Sequence, residues 1–301
     1  MLLKEISGID CMNKSLRKEL LRFCRTSPDL IKVVCEDPTA VYVADVLPKK
    51  NLDDDIESKI NIFWDELAAK ERYMGNTTFF NGMQCAVKKF EHIVGTKTMG
   101  VHLFVTDYKH AVASKKANIG PELWLVGNSG AIVFRSPAGE RNYVFGERSR
   151  NVQDVGGTLE LPPAGYIDIG NPRIMPSLEY AWSSPIFEAN IMDEREEELG
   201  FPFESTIPSE KTGKIQAVGI IKIVPYRDYN VSHVIEMNTS REEVEEIFEH
   251  RKKKNELDKV HVVPESNLLK FMKERGNTLG PRARSHFEHM IKYADIVNED
   301  F

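Results

Sequence analysis

One stretch, residues 184–201, constrains the fold more than any other because it joins both helix-end signals to a crowd of carboxylates. Ser184 is a preferred N-cap residue, Pro185 suits the first helical position, and Gly200 is typical of a helix C-terminus. The sequence between them begins apolar and ends acidic. We therefore predict a helix that packs on a core through its first half and brings several negative charges together in its second half.

The face of this helix that meets the core is itself predicted to turn acidic. Side chains three and four positions apart share a helix face. The stripe that contains the apolar anchors consists of Phe187, Ile191, Glu194 and Glu198, with Glu197 beside it. Carboxylates at a helix C-terminus also oppose the macrodipole, at about 0.3–1 kcal/mol each when exposed. A bound divalent cation would offset both the repulsion between these carboxylates and their unfavourable interaction with the helix dipole. The alternative interpretation is an ordinary acidic helix end in solvent.

Composition narrows the class of protein. With 301 residues, 41% of them hydrophobic and 29% charged, the chain is typical of a soluble globular protein of one large or two modest domains. A net charge of −6 argues against nucleic acid as a partner. Charge appears within the first five residues, and no apolar run approaches the roughly 18 residues of a membrane span. We expect a cytoplasmic protein that does not bind membranes.

The four cysteines all lie in the first third of the chain, without C-x-x-C or zinc-ligand spacing. Buried free thiols are the expected state. Their positions are Cys11, Cys24, Cys35 and Cys85.

The pattern along the chain predicts an α/β fold with two parts, an N-terminal α/β lobe at residues 1–118 and a second domain at 119–301, with a hinge in Lys115–Pro121. In the first lobe we predict helices at 11–25, 53–72, 81–94 and 108–114, a strand at 98–105, and a hairpin from strands 31–35 and 40–46. In the second domain we predict strands at 123–126, 129–134, 143–146, 215–224 and 231–237, and closing helices at 241–253, 265–275 and 281–296.

The second domain resembles the Nudix hydrolases over roughly residues 123–260. A hairpin leads to Gly146-Glu147-Arg148-Ser149, then to Leu161-Pro162-Pro163-Ala164-Gly165-Tyr166, and then to a helix that ends Glu194-x-x-Glu197-Glu198-x-Gly200-Phe201. The family signature is a glycine loop followed by Arg-Glu-(apolar)-x-Glu-Glu-x-Gly-(apolar). Length and lobe order are also similar to a divergent branch that hydrolyses UDP-glucose and UDP-galactose. The resemblance implies a Nudix-type α/β/α sandwich with a mixed sheet, behind a smaller α/β lobe.

The resemblance also implies which residues carry the chemistry. Glu194, Glu197 and Glu198 fall on the metal-binding glutamates, with Mg²⁺ as the expected ion and Mn²⁺ as the alternative. Glu198, with Glu194, is the candidate for activating the attacking water. A carbonyl at Gly165 or Ala164 could add a ligand. Arg148 and Arg150 are candidates for holding phosphate oxygens, with ordinary surface arginines as the alternative. Gly165 and Tyr166 complete the predicted substrate site, with a turn glycine and a packing aromatic as the alternatives.

The sequence departs from the family signature in four places. The acidic residue that the family has a few positions after the loop glycine is not found at that spacing. Asp193 stands where the family has arginine, and Arg195 stands where it has an apolar residue. A long insertion, residues 169–183, separates the glycine loop from the helix.

These departures leave three hypotheses open. The first is a Mg²⁺-dependent hydrolase of a nucleoside diphosphate derivative, with a UDP-sugar giving UMP and a sugar 1-phosphate as the specific expectation. The second is a binding or regulatory module without catalysis, and the third is an acidic surface helix on an unrelated α/β fold. The sequence does not indicate the oligomeric state.

Overall fold

A computed structural model describes residues 12–24, 29–36, 38, 40–73, 81–150, 156–171, 173–174, 186–204, 208–251 and 256–296. Residues 293–296 are described by their backbone alone. Ser184 and Pro185, the predicted start of the acidic helix, lie outside the described residues, as does Cys11.

Strands and helices alternate through the described chain. The strands are β1 (Ile31–Glu36), β2 (Ala40–Leu47), β3 (Met83–His92), β4 (Thr98–Asp107), β5 (Leu125–Arg135), β6 (Arg141–Arg148), β7 (Leu159–Glu160), β8 (Ala164–Tyr166), β9 (Thr212–Ile223), β10 (Asp228–Met237) and β11 (Leu257–Pro264). The helices are α1 (Lys14–Cys24), α2 (Asp54–Tyr73), α3 (Tyr108–Ala117), α4 (Ile186–Leu199), α5 (Arg241–His250), α6 (Glu265–Arg275) and α7 (Pro281–Ile296).

The strands form one mixed sheet of 11 strands, whose main path runs β1-β9-β10-β5-β3-β4-β2. The pairs β5–β10 and β2–β4 are parallel, and the other pairs are antiparallel. Strand β5 is buried at every position from Leu125 to Phe134, as expected for a strand that is covered on both faces. A mixed sheet with flanking helices confirms the predicted α/β class.

Helices cover both faces of the central strands. On one face, α1, α6 and α7 pack over an apolar cluster that includes Leu20, Ala131, Phe145, Leu268 and Phe287. On the other face, α4 and α5 pack over clusters that include Ile132, Phe187, Ile191, Val244 and Phe248. Because side chains alternate along a strand, successive residues of β5 contribute to opposite clusters.

Two predictions for the first lobe are wrong. Residues 81–94 contain strand β3 rather than a helix, because pairing with β4 on one edge and β5 on the other outweighs a local helical spacing of apolar residues. The predicted hairpin does not form, since β1 pairs with β9 and β2 pairs in parallel with β4.

Two details of the second domain also differ from prediction. Gly127 and Asn128 do not interrupt β5, and β11 was not predicted. Ala86 of β3 pairs with Leu125 of β5, so strands from both sides of residue 118 share the sheet. The division at 118/119 stays a prediction. In the described parts of the chain, no helix combines the length and apolar character that a membrane crossing requires.

Candidate functional site

Helix α4 lies with its mixed stripe toward the interior, as its spacing predicts. Phe187 and Ile191 are buried, and Glu198 is only 3% exposed. Two hydrogen bonds of asparagine side chains hold its N-terminal half to β5. Asn128 donates to the Phe187 carbonyl at 2.5 Å, and Asn190 donates to Asn128 Oδ1 at 2.9 Å. The apolar anchors and the buried amides therefore set the rotation of the helix that turns Glu198 inward.

Glu198 is a buried acid with half of its hydrogen-bonding capacity unused. The backbone N–H of Ala164 donates to Oε2 at 3.2 Å. Oε1 is buried and has no hydrogen-bond partner among the described residues. Burial raises the pKa of Glu198 well above its ordinary value, and the negative charges of Glu256, Glu194 and Glu160 raise this pKa further. The free energy of this carboxylate would fall if a cation or a proton reached Oε1.

Glu194 lies directly against the backbone of strand β8. A β-carbon on Gly165 would lie 1.8 Å from Glu194 Oε1, so only glycine leaves room for the carboxylate there. On its other side, β8 lies close to β5, because a β-carbon on Gly127 would lie 2.7 Å from the Gly165 carbonyl oxygen. The structure thus places Gly165, Glu194 and Glu198 close together, whereas their roles stay a prediction.

Glu197 is half-buried beside a second group of acids, around Asp168. Burial raises the pKa of Asp168, against a hydrogen bond from the Gly170 N–H that lowers it, while Asp193 and Glu197 raise it further. Asp168 was not predicted as a site residue. Its position three residues after Gly165, two residues beyond the end of β8, is the signal that could have identified it.

The two candidate arginines have different surroundings. Arg148 is 18% exposed, and its Nη1 donates to both carboxylate oxygens of Glu160 at 3.2 and 3.1 Å. Its charge also lowers the pKa of Glu198, which places it beside the acidic group. Arg150 is exposed in the following turn, where its side chain lies beside Gly157.

Tyr166 points to the opposite face of the sheet from Gly165, since neighbouring side chains of a strand alternate. Its hydroxyl donates to Asp228 Oδ2 at 2.8 Å, and Arg282 Nη2 lies 3.4 Å from the same oxygen. The structure therefore does not bring the Tyr166 side chain together with the acids of α4. Asp228 and Arg282 were not predicted as site residues, because no local pattern in the sequence links β8, β10 and α7.

The departures from the family signature have structural partners in this chain. Asp193 accepts hydrogen bonds from Asn171 at 2.5 Å and Arg173 at 2.9 Å, two residues of the segment between β8 and α4. Arg195 is fully buried and donates to Thr212 Oγ1, the Pro202 carbonyl and Glu204 Oε2 at 2.6, 2.7 and 2.9 Å. Both departures hold α4 in place, and neither removes the acidic face.

The donor set suits a hard divalent cation, because it offers carboxylate oxygens, one of which is buried and has no hydrogen-bond partner among the described residues. As the side chains are placed, no three Asp, Glu, His or Cys residues in the described part of the chain form a ready metal-binding cluster.

Comparisons with known proteins give only remote likenesses. No protein-family model matches the sequence, and no curated protein matches it. Among solved structures, DR0079 from Deinococcus radiodurans is 11% identical, over 57% of this chain and 84% of that one, with a TM-score of 0.34. The Nudix hydrolase RenU from M. smegmatis is 12% identical, over 60% and 93%, with a TM-score of 0.33. A MutT/Nudix family protein from Listeria innocua is 14% identical, over 58% and 95%, with a TM-score of 0.31. Similarity at this level indicates nothing about chemistry, and the buried acids of α4 are the features of this chain that bear on function.

Proposed function

We propose that the protein is a divalent-cation-dependent pyrophosphohydrolase of Nudix type. Its substrate would be a nucleoside diphosphate joined to another group, and a UDP-sugar giving UMP and a sugar 1-phosphate is the specific candidate. The proposal rests on one observation above all, the buried Glu198 carboxylate, whose Oε1 has no described partner and which lies next to further negative charges. Such an arrangement is costly without a cation and favourable with one.

The residues of the site have separate roles in this proposal. Glu194, Glu197 and Glu198 would hold Mg²⁺, which supplies charge neutralisation for a diphosphate and makes water more acidic. Glu198 would accept the proton of the attacking water, because a carboxylate with a raised pKa is a better proton acceptor. Arg148 would hold a phosphate oxygen, exchanging part of its ion pair with Glu160 for the substrate.

A second candidate is a nucleotide-binding module without catalysis. It is favoured by the absence of a ready three-ligand cluster among the described residues. It is also favoured by the tight fixation of Arg195 and Asp193, which could restrain the helix from rearranging around an ion. This candidate predicts nucleotide binding without turnover.

The decisive experiment measures UMP release from UDP-glucose with and without Mg²⁺, alongside ADP-ribose and a dinucleoside polyphosphate. Turnover of the UDP-sugar alone, with Mg²⁺ only, is the expected result. Turnover of another compound in the panel keeps the reaction and changes the substrate. Binding without turnover of any compound favours the second candidate.

Substitutions then test the roles. We expect Glu198→Gln to lower kcat by about 100-fold or more, the range for a lost general base or metal ligand. Glu249→Gln, an exposed carboxylate on α5, is the matched control and should keep full activity. If Glu198→Gln keeps full activity, the assigned roles are wrong. If Glu194, Glu197 and Glu198 are all changed to Gln and Mg²⁺ affinity stays the same, the acidic helix has no metal function.

A further inference from the structure

Strand β8 is the element that contacts both inward-facing carboxylates of α4. Ala164, its first residue, donates its N–H to Glu198, and Gly165, its second, supports the Glu194 carboxylate through close backbone approach. The strand is only three residues long and pairs along one edge with Gly127, Asn128 and Ser129 of β5. So short a strand depends on what holds its ends.

Each end of β8 is held to β5 by a backbone hydrogen bond, and the C-terminal end has a side-chain bond as well. At the N-terminal end, the Pro163 carbonyl accepts a bond from the Gly130 N–H at 2.7 Å. At the C-terminal end, the Ile167 N–H donates to the Val126 carbonyl at 3.2 Å, and the Tyr166 hydroxyl donates to Asp228 Oδ2 at 2.8 Å. Tyr166 is the residue of this Ala-Gly-Tyr strand whose side chain can make a polar bond.

Asp228 is suited to act as a fixed point. It is 2% exposed, it begins β10, and its backbone pairs in register with Leu125 of β5 and Ile223 of β9. Arg282, in the first turn of α7, lies 3.4 Å from the same carboxylate oxygen that accepts from Tyr166. The guanidinium also lies 6.0 Å from the centre of the Tyr166 ring. A buried carboxylate with a cation beside it can stay charged and accept a strong hydrogen bond.

We propose that Asp228 and Arg282 are positioning residues for the acidic site, and that they act through Tyr166 and strand β8. Tyr166 is then a positioning residue too, in place of the substrate contact that the resemblance implied. The bond to Asp228 fixes β8 from the far face of the sheet, and β8 in turn orients the carboxylates of Glu198 and Glu194 on the near face. This inference rests on the proposed function, because that function is what makes the two carboxylates important. The effect of Asp228 on the Ala164 amide can be measured whether or not the proposed function is correct.

The test compares Tyr166→Phe and Asp228→Asn with Tyr229→Phe. The control removes a hydroxyl from the neighbouring position on β10, where the ring packs 4.9 Å from Phe90 and 5.7 Å from Trp124 between ring centres. The first readout is amide hydrogen exchange at Ala164 by NMR, referenced to the amides of Ile132 and Ile235 in the sheet. We expect Ala164 to exchange about 10-fold faster in Tyr166→Phe, the effect of losing one hydrogen bond, and to be unchanged in Tyr229→Phe. Exchange should also be faster in Asp228→Asn, whose amide oxygen can still accept from Tyr166 but lacks the charge that strengthens the bond.

The reference amides separate positioning from general destabilisation. A general loss of stability accelerates exchange at Ile132 and Ile235 as well, whereas a positioning role accelerates exchange in β8 alone. The second readout is Mn²⁺ affinity by electron paramagnetic resonance, expected to be about 10-fold weaker in Tyr166→Phe and Asp228→Asn, as is typical when a group that orients a ligand is lost.

The outcomes separate the two proposals. Unchanged Ala164 exchange in Tyr166→Phe and Asp228→Asn overturns the positioning network, whatever the metal readout gives. Faster exchange at Ala164 together with weaker Mn²⁺ binding supports it. Wild-type protein that neither binds Mn²⁺ nor hydrolyses the panel overturns the proposed function, and faster Ala164 exchange in the two variants would still support the link from Asp228 to β8.

Discussion

At the scale of single residues, the site is defined by Glu198, a carboxyl group whose ionised form is disfavoured by its surroundings. Glu198 reaches only one described donor, the Ala164 N–H, and the neighbouring charges are mostly negative. Its position was predictable, since the spacing from Phe187 and Ile191 puts it on the buried stripe. Its neighbours Glu160 and Glu256 were not, because they come from β7 and the start of β11 and meet Glu198 only in the folded chain.

Glu198→Gln should make the metal-free protein more stable at pH 8. The folded-state pKa of Glu198 is raised, so the folded state binds more protons than the unfolded state above pH 4.5, and Glu198 lowers stability as pH rises. Removing the charge should raise the free energy of unfolding by about 1–3 kcal/mol at pH 8 in EDTA, with a smaller gain at pH 5. Urea unfolding measures both values.

The stability of the same variants in the presence of Mg²⁺ gives a second, independent test. Saturating Mg²⁺ should stabilise wild-type protein by mass action and leave Glu198→Gln almost unchanged. Glu249→Gln, exposed on α5, should follow wild type throughout. Equal stabilisation of wild type and Glu198→Gln by Mg²⁺ would contradict a metal role for Glu198.

Gly165→Ala should damage the site by steric contact alone. The new methyl group would lie 1.8 Å from Glu194 Oε1, so either the carboxylate or strand β8 must move. We expect a loss of stability of about 1–3 kcal/mol, typical of overpacking, and at least about 100-fold lower activity, as for an ångström-scale displacement of a catalytic group. Thermal unfolding and the UMP-release assay measure the two effects. Gly280→Ala has open space around the new methyl group and should change neither.

At the scale of secondary-structure elements, most helices were predictable, whereas strand β3 was mistaken for a helix. Amphipathic spacing placed α1, α2, α5, α6 and α7 close to their observed bounds. The same reasoning failed for β3, where Met83, Val87 and Phe90 happen to follow helical spacing. What decides its state is the availability of β4 and β5 as partners on its two edges, and a local pattern carries no information about that.

The end of α4 depends on a buried ion pair that sequence resemblance would not lead one to expect. Arg195 stands at an apolar position of the family signature, yet it is fully buried against Glu204, Thr212 and the Pro202 carbonyl. Burial alone would raise the pKa of Glu204, but hydrogen bonds from Thr212, Ser209 and Arg195 lower this pKa to about 2. These bonds join α4 to the segment that leads into β9.

Arg195→Met should therefore cost about 1.5–3 kcal/mol of stability, the range for hydrogen bonds of a charged group, because the Glu204 carboxylate left behind is only half-buried. Glu204 stabilises the fold above its unfolded pKa of about 4.5, and that stability is lost as pH falls toward 2. The variant should accordingly lose less stability than wild type between pH 4.5 and pH 3 in urea unfolding. Arg173→Met removes an ion pair of an exposed arginine with Asp193 and should cost about 1 kcal/mol or less. Equal costs for the two substitutions would rule out a special role for the buried pair.

At the scale of the whole molecule, α7 is joined to the sheet through buried histidines. His286 Nε2 lies 2.8 Å from the His233 carbonyl, and a β-carbon on Gly219 would lie 2.2 Å from the His289 ring. Nδ1 of His233, His286 and His289 is buried without a hydrogen-bond partner among the described residues. Burial lowers the pKa to about 4 for His233 and His289 and to about 3 for His286.

The protein should lose stability as pH falls below 6.5. Histidines with a lowered folded pKa are neutral in the folded state and take up protons on unfolding, so each contributes a slope of up to about 1.4 kcal/mol per pH unit between pH 6.5 and its folded pKa. His289→Asn should reduce the slope of the free energy of unfolding against pH, between pH 6.5 and 5, by the contribution of one histidine. His92→Asn, at the exposed end of β3, should leave it unchanged. Identical slopes for wild type and His289→Asn in urea unfolding would contradict this prediction.

By itself, the sequence determined the α/β class, the positions of most helices and the inward acidic stripe of α4. These follow from helix periodicity, end signals and apolar spacing, which act between residues a few positions apart. Only the tertiary structure decided that residues 81–94 form a strand, that Arg148 pairs with Glu160, and that Tyr166 binds Asp228 beside Arg282. Each of these depends on contacts with another strand or helix, and in the case of Tyr166 the partners lie 62 and 116 positions away in the sequence, on β10 and α7. Which distant groups meet is set by strand pairing and by burial in the assembled sheet, and no local pattern encodes it.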